Sequence, residues 1–436
     1  MSDYNLGIKL DTIINDGLKQ VERNVPINTP STFNWLGHPL EGKLYRNVDT
    51  NEITTTFDIT DMKLTGAGET YYVSTTGDDA NDGLSESAAL ESIDTAIEKS
   101  DALTIMVKAG IYKKYKGFST AGHTNKKVNI MGYDGEVIIS PYDVLVWTLS
   151  AGQTYTYEAA RSAVSRVIDL KYTDDVGDYE MLTEQTTIAD VETNPGSFYS
   201  DETNVYVHTK DNRQPDSDII EPLQTGNGYF LGNTELYLEN LKLYGGRPLD
   251  VRSNADTDTP KIFAKNCEFK YSTDTFNGAG LQGTALSIFD SCIASKNNYD
   301  GFNYHIDNNI LPHAIEINCE GRNNGSTTQD NGSTIHDGAK IIRINGKYFD
   351  NTGPNVIEVN DNTQSWNLGC VSSYSNIATF DTGETFAIGQ TTGRGTMWLD
   401  TCIAYGGTIR IGAESKLFQH NSNINDGAVD GVINNY

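Results

Sequence analysis

Seven short phrases recur along residues 236–407, and their spacing limits the fold more than any other feature of the chain. They read LYLENLKLYGG (236–246), KIFAKNCEFKY (261–271), LSIFDSCIASK (286–296), AIEINCEGRNN (314–324), IIRINGKYFDN (341–351), WNLGCVSSYSN (366–376) and MWLDTCIAYGG (397–407). Aligned on Leu241, Cys267, Cys292, Cys319, Gly346, Cys370 and Cys402, the steps are 26, 25, 27, 27, 24 and 32 residues. A fixed period in this range is the signature of a solenoid. Each phrase is an alternating strand, then Asn, Asp or Gly, then a small residue, then a second strand. Alternation indicates β structure, and Asn or Gly supplies a bend through the left-handed region.

A coil of about 25 residues at roughly 3.3 Å each has a perimeter of roughly 80 Å, which suits three sides joined by turns. The five Cys show no CxxC or Cys–His spacing, and five is odd, so a disulfide framework is not expected. They are expected to stack on one another inside the coils as small apolar side chains, not to form a redox or metal centre. A leucine-rich solenoid needs an LxxLxLxxN consensus, which is missing. The expected fold is therefore all-β, a right-handed single-stranded parallel β-helix.

The start of the coil is also readable. Residues 71–112 give a strand at Tyr72-Val73, an Asp/Asn/Gly turn from Gly77 to Gly83, a helix from Ser92 to Glu98 and a strand from Val107 to Tyr112. Leu90, Ile93, Ala96 and Ile97 lie on one face of that helix, which is expected to cover the open end of the first coil. This arrangement resembles the opening of the pectate-lyase-like right-handed β-helix superfamily, over about residues 70–436. The Gly77–Gly83 loop lacks the later bidentate Glu of an EF-hand and is read as a turn.

Residues 140–220 break the repeat and read as an insert carrying a hairpin, NPGSFYSDETNVYVHTKDNRQP (194–215). Such inserts sit on one face of a solenoid. Tyr199, Tyr206 and His208 could stack on sugars there, although alternating Tyr is more often strand packing. Residues 1–70 differ again. Leu6, Leu10, Ile13, Ile14, Leu18 and Val21 predict a helix over 5–24, interrupted by Gly17, and short strands follow over 31–66. A small N-terminal region for attachment or oligomerisation, ahead of a β-helix spanning 71–436, resembles bacteriophage tail spikes and appendages. That resemblance implies a homotrimer, other virion proteins as partners through residues 1–70, assembly in the host cytoplasm and a final location in the phage tail.

Charge narrows the partners. With 32 Lys and Arg against 59 Asp and Glu the net charge is −27, which disfavours a nucleic-acid backbone or an anionic membrane as partner. It also repels acidic polysaccharides unless a basic patch or a cation intervenes. No basic and apolar leader opens the sequence, and no apolar run reaches the roughly 18 residues of a membrane span.

The densest polar clusters are 297–313, NNYDGFNYHIDNNILPH, and 321–343, GRNNGSTTQDNGSTIHDGAKIIR. Both fall between coil phrases and should become neighbours on one side of the solenoid. Asp300 and Asp337 are the best pair for a glycoside hydrolase, which needs two carboxylates about 5–9.5 Å apart. Arg343, with Lys340 or His336, would serve a uronate lyase, which needs a cation against the sugar carboxylate and a base; Asp ligands could then hold Ca²⁺, the one cofactor this reading admits. The catalytic candidates are thus Asp300, Asp337, His336 and Arg343. Tyr299, Tyr304, His305, Asp307 and Trp366 are candidates for contact with substrate, since rings cover the apolar face of a sugar while polar groups bind its hydroxyls. A metal centre from His305 and His336 has no supporting ligand spacing. The first expectation is a phage virion protein that contacts a bacterial surface polysaccharide. A polysaccharide-degrading hydrolase or lyase of the same fold comes second, and a non-catalytic structural component of a virion third.

Overall fold

The computed structural model describes residues 23–113, 116–119, 121–220, 226, 228–326, 329–373, 383–389, 393–424 and 432–436. The chain divides into two compact units, 1–58 and 59–436. In the first, Asn24–Pro26, Leu44–Asn47 and Ile53–Thr55 form an antiparallel sheet, with Phe33, Leu40, Leu44 and Ile53 buried. The helix expected over 5–24 falls almost wholly outside the described residues, and Asn24 already begins a strand. The segment TTTFDITDM, read as a strand, stops being one at Thr55 and turns into a 3₁₀ helix over Ile59–Met62 in the second unit.

The second unit is a parallel β-helix. One coil shows the plan: Phe302–His305 belongs to a third sheet, His313–Ile317 to a first and Glu320–Arg322 to a second. Each strand pairs in parallel with its counterpart one coil away. Parallel crossovers of this kind are right-handed in about 98% of cases, and the fold is the right-handed parallel β-helix. The first-sheet register joins Leu236 to Ile262, Ser287, Ala314, Ile341, Ser365 and Met397 in turn. Those are the steps of the sequence repeat. A further coil, Lys416–His420, follows it in register.

The corner between the first and second sheets explains the repeat. At every coil from Glu235–Glu239 onward it holds a residue with positive φ followed by an inward one. The pairs are Asn240-Leu241, Asn266-Cys267, Ser291-Cys292, Asn318-Cys319, Asn345-Gly346, Gly369-Cys370, Thr401-Cys402 and Asn421-Ser422. Asn tolerates the left-handed region better than other residues with a Cβ, which accounts for its frequency here. All five Cys are buried free thiols. Cys292, Cys319 and Cys402 each lie 3.3–3.4 Å from a carbonyl of the preceding coil.

Between the second and third sheets runs a ladder of buried Asn. The Asn297 amide donates to Asn324 at 2.9 Å, Asn324 to Asn351 at 2.9 Å, and Asn351 to Asn355 at 2.8 Å. Each of the first three also donates to a main-chain carbonyl, so the turn stays satisfied inside the core. The backbone approaches itself closely here: a Cβ on Gly321 would meet Gly332 O at 2.5 Å.

At the N-terminal end, Glu69–Val73 and Ala102–Tyr112 flank a helix at Ile93–Ile97. Ser92 caps it by accepting from the Thr95 N–H, and Ile93, Ala96 and Ile97 enter the core of the first coils. In the Gly77–Gly83 loop, Asp79 accepts from the Glu91 and Ser92 N–H groups and Asp78 from Ala80, so these carboxylates serve turns.

The 140–220 segment builds its own small β layer around Trp147, Val167, Phe198, Val205 and Val207. Its hairpin pairs Ser197–Ser200 with Asn204–His208. Tyr199 stacks on Tyr206 at 5.9 Å and His208 on Tyr155 at 5.4 Å, so these rings are occupied with each other. The segment docks on the second sheet through a buried ionic junction. Asp178, fully buried, meets Lys270 at 2.7 Å and also pairs with Arg322. Burial alone would raise the Asp178 pKa, but the two cations outweigh it and hold the carboxyl below its usual range.

Candidate functional site

Strand alternation decides which polar residues face outward on the third sheet. Phe302 and Tyr304 point into the core, so Asn303 and His305 face the other way. In the next coil the pairing of Tyr304 with Ile335 sets His305 beside His336. Their rings stack with centroids 3.6 Å apart and planes 16° from parallel. His305 Nδ1 lies 3.4 Å from an Asp337 carboxylate oxygen. Asp337 has φ +58 and takes a further hydrogen bond from the Asn360 amide one coil on. His336 Nε2 is 3.2 Å from Thr334 Oγ1. Burial, then the neighbouring His305, pulls the His336 pKa down to about 3, so this ring is neutral at physiological pH.

These rings open on a cleft of about 310 Å³ that also includes Tyr299, Asp300, Asp330, Glu384 and Arg410. It reaches from the Phe302–His305 strand to the Thr408–Ile411 strand, four rungs away, or about 19 Å at roughly 4.8 Å per rung. Asp300 is buried, accepts from the Asn331 N–H at 2.7 Å and the Asn331 amide at 2.8 Å, and is bonded by Asn303. Burial raises its pKa in spite of those donors. Arg410 donates to Glu384 at 2.8 Å.

The expected site residues divide cleanly. Asp300, Tyr299, His305 and His336 line the cleft, and Asp337 reaches it through His305. Asp307 stands at the following corner, where it accepts from the Asn308 N–H. Asp300 and Asp337 share no hydrogen-bonding group: the first holds the turn at Asn331, the second holds His305.

Three expectations need correction. Arg343 lies inside the coil, fully buried, bonded to Glu358 at 2.7 Å and 3.8 Å from Glu316, where no polysaccharide reaches it. Tyr304 also points inward and donates to Glu316 at 3.0 Å. Trp366 is buried between its rung neighbours Ile342 and Trp398. Lys340, the companion of Arg343 in the lyase reading, donates to the carbonyls of Gly338 and Asn362, both at 2.7 Å. Burial lowers its pKa to about 8.

Sequence reasoning missed Asn303, Asn331, Asp330, Glu384 and Arg410. The alternation that sends Tyr304 inward also sends Asn303 outward and was the available signal; Glu384 and Arg410 arrive from distant coils and carry none.

Among the described residues no helix is long and apolar enough to cross a membrane. No family model matches the chain, and no curated protein matches it. Solved structures resemble it at low identity. The complex of XylC with xylose is 11% identical over 84% of this chain and 70% of that one, with a TM-score of 0.40. Pectate lyase Pel9A is 13% identical over 80% and 78%, with a TM-score of 0.40. Geobacillus virus E2 ORF18 is 10% identical over 98% and 72%, with a TM-score of 0.37.

Proposed function

We propose that this chain is a phage virion protein of the tail-spike or appendage kind, and that it grips a bacterial surface polysaccharide along the outward face of the third sheet. The observation that carries the glycan contact is the cleft itself. It runs across five rungs, is lined by amides, carboxylates and imidazoles, and has the ring of Tyr299 beside them. An extended chain of sugars can lie along it and exchange hydroxyl hydrogen bonds at each rung. The virion role rests on the resemblance of a small N-terminal region followed by a β-helix. In this reading residues 1–70 attach to other virion proteins and the working unit is a homotrimer.

A second reading, cleavage of the bound glycan, is favoured by the His305–Asp337 contact. A carboxylate on Nδ1 orients an imidazole and leaves Nε2 for proton transfer at the cleft that the ring lines.

The test is retention of purified protein by capsule and wall polysaccharides from a panel of bacteria, with reducing ends and absorbance near 235 nm followed in parallel. Retention that is lost in Asn303→Leu and His305→Ala supports the binding site. New reducing ends support cleavage. Silence on every glycan overturns both and leaves a structural role. Sedimentation of the full chain decides between trimer and monomer.

A further inference from the structure

The groove just described is rich in acceptors and poor in donors. Asp300, Asp330 and Glu384 line it, and Asp337 stands at its rim. Asp300, Asp330 and Glu384 are each at least nine-tenths buried, at 8%, 7% and 6% exposed. Against them stand Arg410, already bonded to Glu384, and His305, already facing Asp337. His336 adds no charge. A separate observation points the same way. Asn303 is only 5% exposed, lies on the outward face of its strand and lines the cleft. Its amide nitrogen is used on Asp300, and its carbonyl Oδ1 is buried with no hydrogen-bond partner among the described residues. A buried carbonyl without a donor costs on the order of 1–3 kcal/mol, which a ligand N–H or O–H would offset.

On the reading that this cleft holds a glycan, we infer that its ligand is donor-rich: a polysaccharide of neutral and amino or N-acetylamino sugars, not a uronic-acid polymer. Hydroxyl, acetamido N–H and ammonium groups each bring donors to a groove lined by carboxylates and supply what Asn303 Oδ1 lacks. A uronate carboxylate would bring a further acceptor and a like charge into a groove that already holds several, and like charges are a strong element of rejection. The overall charge of −27 acts in the same direction at longer range.

Three probes test this with the full chain: partially N-acetylated chitosan oligosaccharides, dextran and polygalacturonate, compared by retention and by titration at two salt concentrations. The expected order is chitosan first, dextran second, polygalacturonate unbound. Asn303→Leu should weaken the first two about tenfold, the loss of roughly one hydrogen bond to a buried acceptor. Asp330→Asn with Glu384→Gln should weaken chitosan and admit polygalacturonate. Glu202→Gln with Asp256→Asn, neither of which lines the cleft, should change nothing.

Binding of polygalacturonate as tight as chitosan overturns the inference and leaves the glycan groove standing. An unchanged order in Asp330→Asn with Glu384→Gln overturns it too, as does an equal loss in the Glu202 and Asp256 pair, because attraction would then belong to the whole acidic surface. Failure of all three probes and of the wider bacterial panel removes the glycan reading itself.

Discussion

The imidazoles of His305 and His336 lie face to face, 3.6 Å between centroids, from adjacent coils of the third sheet. Two such rings cannot both carry a proton cheaply, and the buried one, His336, gives way, with its pKa near 3. In the unfolded chain it would titrate near 6.5. Between these values the unfolded state binds more protons, so this ring's contribution to stability is lost as pH falls from about 6.5 towards 3. Denaturant midpoints at pH 7 and pH 4 check it: His336→Asn should lose less stability over that interval than the wild type. Equal losses would contradict the account.

Asp337 holds His305 by Nδ1, and both residues face solvent on one side. Their removal should therefore cost function and spare the fold. His305→Ala and Asp337→Asn should keep the wild-type unfolding midpoint. If the glycan is cleaved, each should lower kcat on the order of 10²-fold or more, as expected for a general base or its orienting group. If it is only bound, His305→Ala should weaken retention while Asp337→Asn has the smaller effect.

Inside the coil, Arg343 lies between Glu316 and Glu358, and all three are fully buried. Glu316 also accepts from Tyr304, Tyr348 and Ser333. Burial raises the Glu358 pKa and Arg343 only partly restores it. Arg343→Met should destabilise by about 3–5 kcal/mol, because it strands two buried carboxyls. Replacing the triad together, with Glu316→Leu and Glu358→Leu added, should recover much of that loss. Equilibrium unfolding of the single and triple variants decides it.

Asp178 joins the insert to the solenoid through Lys270 and Arg322, which are themselves nearly buried. Asp178→Ala removes the carboxylate shared by the two cations and leaves Lys270 to Glu268 and Arg322 to Glu320, at a cost of about 3 kcal/mol. Limited proteolysis should then cut within 140–220 first, while the coils stay resistant. A variant cut no faster than wild type would show that the apolar contacts of Tyr244 and Tyr271 suffice.

The five thiols are buried in the core, and burial pushes those of Cys292, Cys319 and Cys402 upward. None should react with iodoacetamide in the native protein, and all five should react after denaturation, as mass spectrometry would read directly. Cys292→Ala should be tolerated and Cys292→Leu should not, since the column has no room for the added volume.

The coils were legible because one constraint repeats locally: a left-handed residue followed by a small inward one, every 24–32 residues. The register follows from it without further information. The groove was legible only in part. His305, His336 and Asp337 announce themselves by residue type. Arg343 does too, but in KIIRI it shares a face with Ile341, and that parity places it inside. Charge drew attention to Arg343, and alternation was the stronger signal. Trp366 differs: Ser365 and Asn367 are the inward pair, so alternation turns Trp366 to the other face, where it is buried all the same, and no local signal marks that. The ionic junction at Asp178 joins residues 144 apart and leaves no mark on local sequence.

From Glu235–Glu239 onward the corner between the first and second sheets keeps two residues at every coil, whereas the other corners differ in length from coil to coil. One residue added at the fixed corner would turn every later side chain of that coil to the wrong face. One residue added after His305 would only lengthen a loop. The molecule thus keeps count at one edge and varies at the others. The groove's rim can be rewritten loop by loop while the stack beneath it stays in step.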